Sequence, residues 1–413
     1  PFNFELFNYI GTMVMKTNKT DVFISGGGIA GLVATIAFEK LGHSVICVDP
    51  EPPIHNFEDS YTDTRTTAFL QPSQRFLKSI DLWERLENHC MPLDVMRIVD
   101  AGGNANPSLI RERKDFKSRE VSDLPFGWNV PNWLLRRELL AVINSKTNAL
   151  FLPGVATREV HTRDHEARVT LSNGQGVNAK LIVAADGRKS VVRQKANIDV
   201  CVKRFGQKAM SFAVTHANPH KNVSTEIHKS GGPFTLVPLA DYKGSPSSAV
   251  VWMEKSKKAV QLMSLETAKF EDEINERSCN ILGPLKLVTK RSMWPIITQV
   301  ADRLSAKRTA LIAEAAHVVP PIGAQGLNMS IRDIKVLRDL TAKTKDIGSP
   351  DLLDAYHNER INDIRMRVFG VTLLNQISQN ENRIVHDMRA YGLRSLYGNS
   401  LARKIAIELG LGV

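Results

Sequence analysis

The chain has 413 residues, 54 Lys+Arg against 43 Asp+Glu, a formal net charge of +11 and 43% hydrophobic residues. That length allows two or three domains with sizeable cores, and the mix of apolar and charged residues excludes a disordered chain. The absence of a run of about 18 apolar residues excludes a membrane-spanning helix, and the dispersed Cys47, Cys90, Cys201 and Cys279 offer no metal site or disulfide framework, which points to reducing cytoplasm.

Pro1 to Lys19 lacks the pattern of a signal peptide. Met13 or Met15 is expected to be nearer the natural start, and the segment is expected to be poorly ordered. Asp21 to Ser25 is a short apolar strand, Gly26 to Gly31 a tight turn, Ile29 to Leu41 has helical spacing, and Ser44 to Val48 is a second strand. This is the opening unit of a parallel, doubly wound sheet. Ala167 to Leu171 and Lys180 to Ala185 read as strands on either side of an Asn173-Gly174 turn. Between 196 and 295 the pattern changes to strands separated by Gly, Pro and Ser turns: Phe212 to Val214, Phe234 to Leu239 and Ala249 to Met253. An antiparallel sheet is therefore expected here, inserted into the nucleotide-binding domain. Ala310 to Ala313 returns as a buried strand and Leu327 to Leu340 as a helix. From Ser349 the chain is helical, with breaks around Gly392 and Gly398.

Gly26-Gly-Gly28-Ile-Ala-Gly31 carries the strongest local signal. Gly26 permits the turn, Gly28 lets the backbone approach a pyrophosphate, and Gly31 allows helix to pack closely on strand. The helix that follows points free N–H groups and the positive end of its dipole at the phosphates. Asp49, at the end of the second strand, is placed to accept from an adenosine ribose. Two later segments bear on the choice of dinucleotide: Ala185-Asp186-Gly187-Arg-Lys-Ser190-Val-Val-Arg193, and Ala310-Leu-Ile-Ala-Glu314-Ala-Ala-His317-Val-Val-Pro320-Pro321-Ile-Gly-Ala-Gln325-Gly326-Leu327-Asn328.

With these motifs in this order the chain resembles the class A FAD-dependent aromatic monooxygenases, of para-hydroxybenzoate hydroxylase-like fold, and within them the ubiquinone-biosynthesis hydroxylases. Asp63-Thr-Arg65 resembles the subfamily segment whose arginine lies beside the flavin, and Phe126 to Asn132 its next signature. Asp186-Gly187 matches the family DG motif, which the resemblance links to both flavin and NAD(P)H. Phe205-Gly-Gln207, Asn218-Pro-His220 and Gly232 to Leu239 resemble substrate-domain strands, and Asp354-Ala-Tyr356 with Arg360 the first C-terminal helix. Glu314 can bind ribityl hydroxyls. The Pro320-Pro321 stretch stays extended. Gly323 to Gly326 then opens a helix whose amides face the part of the flavin that becomes negative on reduction. Pro321, Gln325, Gly326, Leu327 and Asn328 are accordingly cofactor-binding candidates, with Gly26, Gly28, Gly31, Asp49, Arg65, Asp186, Gly187 and Glu314. Ala313-Glu314 stands where the family has Gly-Asp, Ala324 where it commonly has Gly, and Ser330 where it commonly has Gly.

The implied fold class is α/β, a Rossmann-type FAD-binding domain interrupted by an antiparallel-sheet substrate domain, with C-terminal helices. The expected division is an N-terminal extension (1–20), a discontinuous FAD-binding domain (21–80, 130–195 and 296–348), a substrate domain (81–129 and 196–295) and a helical region (349–413). His317 is a weak catalytic candidate that more readily fixes the loop. Trp252 and Trp294 suit either a pocket or a core, Arg136 and Arg137 either a cofactor phosphate or a solvated face, and Met329 packing. The resemblance implies FAD as resident cofactor and NAD(P)H as a transient reductant. The expected reaction is hydroxylation of an aromatic ring in a polyprenylated phenol or quinol precursor of ubiquinone. Two other readings stay open: another FAD oxidoreductase of this fold, such as a prenyl reductase, and a catalytically weak FAD-binding scaffold.

Residues 1–100 hold 8 basic and 13 acidic side chains, and residues 101–413 hold 46 and 30, so the positive excess avoids the first dinucleotide unit. With no compact basic stripe, no nucleic acid is expected. The expected partners are a lipid-soluble aromatic substrate, a membrane surface and other ubiquinone-biosynthesis proteins, with the enzyme peripheral on the inner face of the membrane.

Overall fold

A computed structural model describes residues 19–52, 63, 65–101, 109–229, 231–380 and 383–411. The expectation for the N-terminal extension lies outside these residues, apart from Lys19 and Thr20, which begin the first strand. The expected parallel sheet forms and is extended by antiparallel strands. In space its strands run Ser305–Ala306, Thr309–Leu311, Gly176–Ala184, Lys19–Ser25, Val45–Asp49 and Ala149–Pro153, and Ala167–Leu171 and Thr157–Thr162 extend from the Gly176–Ala184 strand. Val45–Asp49 is buried at every position, the mark of a strand covered on both faces. Register aligns Ser25 with Val48 and Ala184, and Ala184 with Leu311. Gly26, Asp49, Asp186 and the turn after Ile312 therefore gather at one carboxyl edge, where ligands bind in sheets of this type.

The second sheet has nine strands. Its order is His317–Val318, Ser292–Ala301, Val200–His216, Ser245–Lys255, Pro233–Tyr242, Val223–His228, Val95–Ala101 and Ile110–Lys117, with Leu285–Leu287 beside Val200–His216. Two features differ from the sequence expectation. Val223–His228 pairs in parallel with Val95–Ala101, so the sheet is mixed rather than wholly antiparallel. Ser292–Ala301 and His317–Val318 both belong to it, so a boundary drawn at 295/296 falls inside a strand. Strand alternation gives the sheet two different faces. Met210, Phe212, Val214, Val250 and Trp252 pack with Phe270 and Ile274 of the Thr267–Arg277 helix, while Ala209 and Met253 face Ile296, Ile322 and Val371. Trp252 is thus core, and Trp294 lies at the other cluster.

Ala310 to Ala313 is not one strand. The strand ends at Leu311, Ala313 adopts φ 55°, and Ala313–Ala316 forms a single helical turn. The helix after the proline stretch is Gln325–Thr341. The C-terminal region is Pro350–Gln379, Arg383–Gly398 and Ser400–Leu411; Gly392 lies within a helix and is not a break. No described helix is long and apolar enough to cross a membrane.

A buried ionic cluster joins these parts. Asp333 accepts from the amide of Ala313 (3.2 Å) and from Nε of Arg360 (2.8 Å), and lies 2.7 Å from His317 Nε2. Arg360 also reaches Asp363 at 2.6 Å, and Tyr356 donates to the carbonyl of Leu311 at 2.7 Å. Burial opposes ionisation of Asp333, but His317 and Arg360 outweigh it and hold its pKa below the ordinary value. A depressed carboxylate stabilises the fold above its unfolded pKa, about 4, and loses that contribution as pH falls through the lower folded value. Asp333→Asn removes one of the two carboxylates that hold the fully buried Arg360 guanidinium and leaves it with Asp363. Urea unfolding at neutral pH should show a loss of about 3–5 kcal/mol, and a change below about 1 kcal/mol would mean that water or another group replaces the carboxylate.

Candidate active site

The glycine turn can be tested atom by atom. A Cβ on Gly26 would sit 2.4 Å from the Ala185 carbonyl oxygen, and one on Gly31 1.8 Å from the Gly26 carbonyl oxygen. Gly26 also has φ 107°, a region that glycine alone enters cheaply. Gly28 is different: its φ is −66° and nothing lies within 4 Å of a Cβ built there. The protein itself requires Gly26 and Gly31, whereas the space over Gly28 is open to a ligand. The Ile29–Glu39 helix begins there without a side-chain cap, leaving its first amides free for an anion.

Asp49 is 8% exposed, and its Oδ2 accepts from the Gly27 amide at 2.6 Å. Its Oδ1 accepts from the Glu51 amide and lies 3.6 Å from Arg136. Arg136 is buried, and its Nε and Nη2 lack a hydrogen-bond partner. A buried guanidinium with unused donors beside the glycine turn fits the phosphates or ribose of a dinucleotide. Sequence spacing left Arg136 and Arg137 equivalent. The structure buries the first, while Arg137 pairs with Glu138.

The DG segment lies across the same edge. Asp186 Oδ2 accepts from the Val191 and Val192 amides and so holds the start of a short helix. Its Oδ1 is buried without a partner, and burial pushes the carboxyl above its usual pKa despite those bonds. Gly187, at φ 80°, also has open space where a side chain would be. Arg193 donates to the carbonyls of Ala315 (2.9 Å) and Arg188 (3.0 Å). Arg188 reaches the Glu314 carboxylate at 3.3 Å. The DG segment and the Glu314 turn are therefore one unit.

Glu314 is half-exposed at this edge and available to a ligand as well as to Arg188. Ala313 and Ala324 both have φ 55°, so both keep the left-handed backbone that the family pattern assigns to glycine. Each methyl costs about 1–2 kcal/mol in that conformation; the turns persist because bonds on either side fix them. Asn328 supplies two such bonds, to the carbonyls of Ala324 (2.7 Å) and Ala68 (2.8 Å), and accepts from the Leu70 amide. Ser330 donates back to the Gly326 carbonyl within the helix. Gln325 bonds Arg367 and the Gly410 carbonyl, which ties the C-terminal helices to this turn. The Gln325–Thr341 helix has no side-chain cap, so the Gln325, Gly326 and Leu327 amides emerge just after Pro321.

Arg65 is held by a two-point contact with Asp63, itself bound by Asn132, and lies over the Trp294 ring at 5.6 Å. Thr64, the middle residue of that segment, lies outside the described residues. Phe205, Trp294, Ile296, Val319, Ile322 and Met253 form an apolar cluster between the large sheet and the proline loop. His317 is not placed as a base: its side chain is 1% exposed and its Nε2 faces Asp333. It positions the turn. Met329 is buried in the core.

Comparison with known proteins agrees with this geometry. A family model described as an FAD binding domain matches residues 19–368. The chain belongs to that family. It is 32% identical over 340 residues to the ubiquinone hydroxylase UbiL of Rhodospirillum rubrum, covering 81% of this chain and 76% of the relative. It is 25% identical to the 3-demethoxyubiquinol 3-hydroxylase of Escherichia coli, over 97% of this chain and all of the relative. The p-nitrophenol 4-monooxygenase PnpA of Pseudomonas putida superposes with a TM-score of 0.77 at 16% identity, over 95% of this chain and 98% of the other. That likeness establishes a shared fold.

The contrast among the glycines gives a direct test for this flavoprotein. Gly28→Val should leave the unfolding midpoint of the FAD-free protein unchanged and weaken FAD binding at least tenfold, about 1.4 kcal/mol. Gly31→Ala should disrupt folding. Equal FAD affinity in Gly28→Val and wild type, read by fluorescence titration, would place the pyrophosphate elsewhere.

Proposed function

We propose that the protein is an FAD-dependent, NAD(P)H-using monooxygenase that hydroxylates an aromatic ring of a polyprenylated phenol or quinol precursor in ubiquinone biosynthesis. The observation that carries this reading is one carboxyl edge joining a dinucleotide cradle, the DG segment and the Glu314–Asn328 turn to an apolar cluster on a second sheet. Relatives named as ubiquinone hydroxylases support the substrate class.

In this reading residues 21–80, 130–195 and 296–348 hold FAD, with the strand Ser292–Ala301 shared with the substrate sheet. Gly26, Gly28 and Gly31 form the pyrophosphate turn. Asp49 and Arg136 take the ribose and phosphates, and Glu314 the ribityl chain. Pro321, Gln325, Gly326, Leu327 and Asn328 shape the approach to the ring, with Arg65 on the opposite strand segment. Asp186 and Gly187 border the place where NAD(P)H visits. FAD, when bound, accepts a hydride and activates dioxygen for transfer to the ring. The protein's own work is orientation and exclusion of water. Helix amides at 325–327 favour negative charge beside them. The apolar cluster around Ile322 and Trp294 takes the aromatic substrate and keeps bulk water away.

The substrate is lipid-soluble, so the reading also places the protein on the cytoplasmic face of a membrane, in reach of other ubiquinone-biosynthesis proteins. Purified protein should carry a yellow flavin spectrum and oxidise NAD(P)H with oxygen uptake when a short-chain prenylated phenol is added. A colourless protein that takes up no FAD would overturn the reading. A flavin-loaded protein silent toward every such phenol would favour the scaffold reading, for which the strained Ala313 and Ala324 are the specific observation.

A further inference from the structure

The strand Val200–His216 is irregular where it passes the apolar cluster. Its register against Ser292–Ala301 shifts between Arg204 and Lys208, and Gly206 there has φ 70°. Bulges of this kind re-aim side chains. Gln207, the next residue, is 2% exposed. Its Nε2 donates to the Gly231 carbonyl at 2.6 Å, and its Oε1 accepts from Asn375 Nδ2 at 2.9 Å. A carbonyl can only accept, so the Gly231 contact fixes which end of the Gln207 amide is nitrogen. The Gln207 oxygen then faces Asn375, and Asn375 must present its own nitrogen.

That chain of bonds leaves Asn375 Oδ1 over. Asn375 has no exposed surface, and no donor among the described residues reaches this oxygen. A fully buried amide oxygen without a donor is rare, because the unmade bond is costly. Asn375 lies one helical turn after Val371, on the same face of the Pro350–Gln379 helix, and Val371 belongs to the cluster with Ile322, Ile296, Ala209 and Met253. The oxygen thus stands at the edge of that cluster. Phe205, Trp294 and Val319 at its margin are only partly buried, so the cluster is open to a ligand on their side. A buried water needs two to four polar partners. The cluster is apolar and both ends of the Gln207 amide are engaged, so a water would find little beyond Oδ1 itself. A single donor carried on an apolar body suits the place better.

We propose that Asn375 Oδ1 accepts a hydrogen bond from the ring hydroxyl of the substrate, and that Asn375 thereby selects a free phenol or quinol over the corresponding methyl ether or quinone. The proposal rests on the hydroxylase reading for the identity of the ring; the unmatched acceptor stands on its own geometry. A phenolic O–H supplies one donor on an apolar ring and pairs Oδ1. A methyl ether or a quinone carbonyl brings only an acceptor, so Oδ1 stays unpaired and faces a second oxygen. A site built around a hydrogen bond to a hydroxyl rejects the analogue that lacks it far more strongly than an apolar pocket rejects an added methyl group. The Asn375 amide is neutral and leaves the proton on the phenol, so its contribution is to binding and orientation.

The test is titration of the full FAD-loaded chain with a short-chain prenylated phenol and with its methyl ether, read by perturbation of the flavin spectrum. Wild type should bind the phenol at least about tenfold more tightly than the ether. Asn375→Leu should bring the two affinities within about twofold, mainly by weakening the phenol. Asn375→Ser, which leaves room around a shorter hydroxyl, should lie between and carries the comparison if the leucine variant does not fold. FAD content should be equal in all three; its loss in both variants would make the residue structural and overturn the proposal. A structural role would also move both affinities together, so an unchanged ratio in the variants would overturn the proposal while leaving the hydroxylase reading in place. A wild type that binds both ligands without preference would do the same. A wild type that binds neither would overturn both. Loss of preference in the variants, with no turnover of the phenol by wild type, would support the acceptor and remove the hydroxylase reading.

Discussion

Asp333 holds the site together. A carboxylate with no exposed surface is tolerated in a protein interior only when cations and donors surround it. Here the partners come from three parts of the chain: the amide of Ala313 in the turn after the parallel sheet, His317 at the start of a strand in the large sheet, and Arg360 in the long C-terminal helix. The contact ties the turn after one sheet to a strand of the other and to the long helix. It also holds Ala313 in a backbone conformation that alanine does not favour. Tyr356, one helical turn before Arg360, closes the same junction through the Leu311 carbonyl.

Position at the junction explains the division of labour among charged residues. Those buried with partners, Asp333, Arg360 and Arg193, are structural and keep loops in register. Arg136 and Asp186 keep buried hydrogen-bonding atoms without a partner and lie where a dinucleotide is expected. His317 belongs to the first group. No general base is required of it, because orientation of the ring and exclusion of water are the contributions the protein makes to a reaction whose difficult chemistry belongs to the cofactor. The aromatic residues divide similarly: Trp252 fills the sheet's helix-covered face, while Trp294 stands under Arg65 beside the proline loop.

The parts legible in the sequence are those where local backbone geometry dictates residue type. Gly26 and Gly31 have no room for a methyl, Asp49 ends a strand at a fixed distance from them, and Ser190 caps the helix after the DG pair. The parts that were not legible depend on packing between distant segments. Arg136 and Arg137 are neighbours in sequence, and only the approach of their helix to Asp49 separates them. The pairing of Asp333 with Arg360 was not legible, because nothing local announces that 27 positions of separation end in a 2.8 Å contact. Ala313 read as strand because a left-handed alanine leaves no compositional mark.

The central claim is that the junction serves oxygen transfer to an aromatic ring. The most direct measurement supplies the FAD-loaded protein with NAD(P)H, a short-chain prenylated phenol and isotopically labelled dioxygen, and examines the product by mass spectrometry. One labelled oxygen atom on the ring for each NAD(P)H oxidised is the predicted result. Substrate-dependent NAD(P)H oxidation that yields a product without label would contradict it and would identify a reductase on this fold.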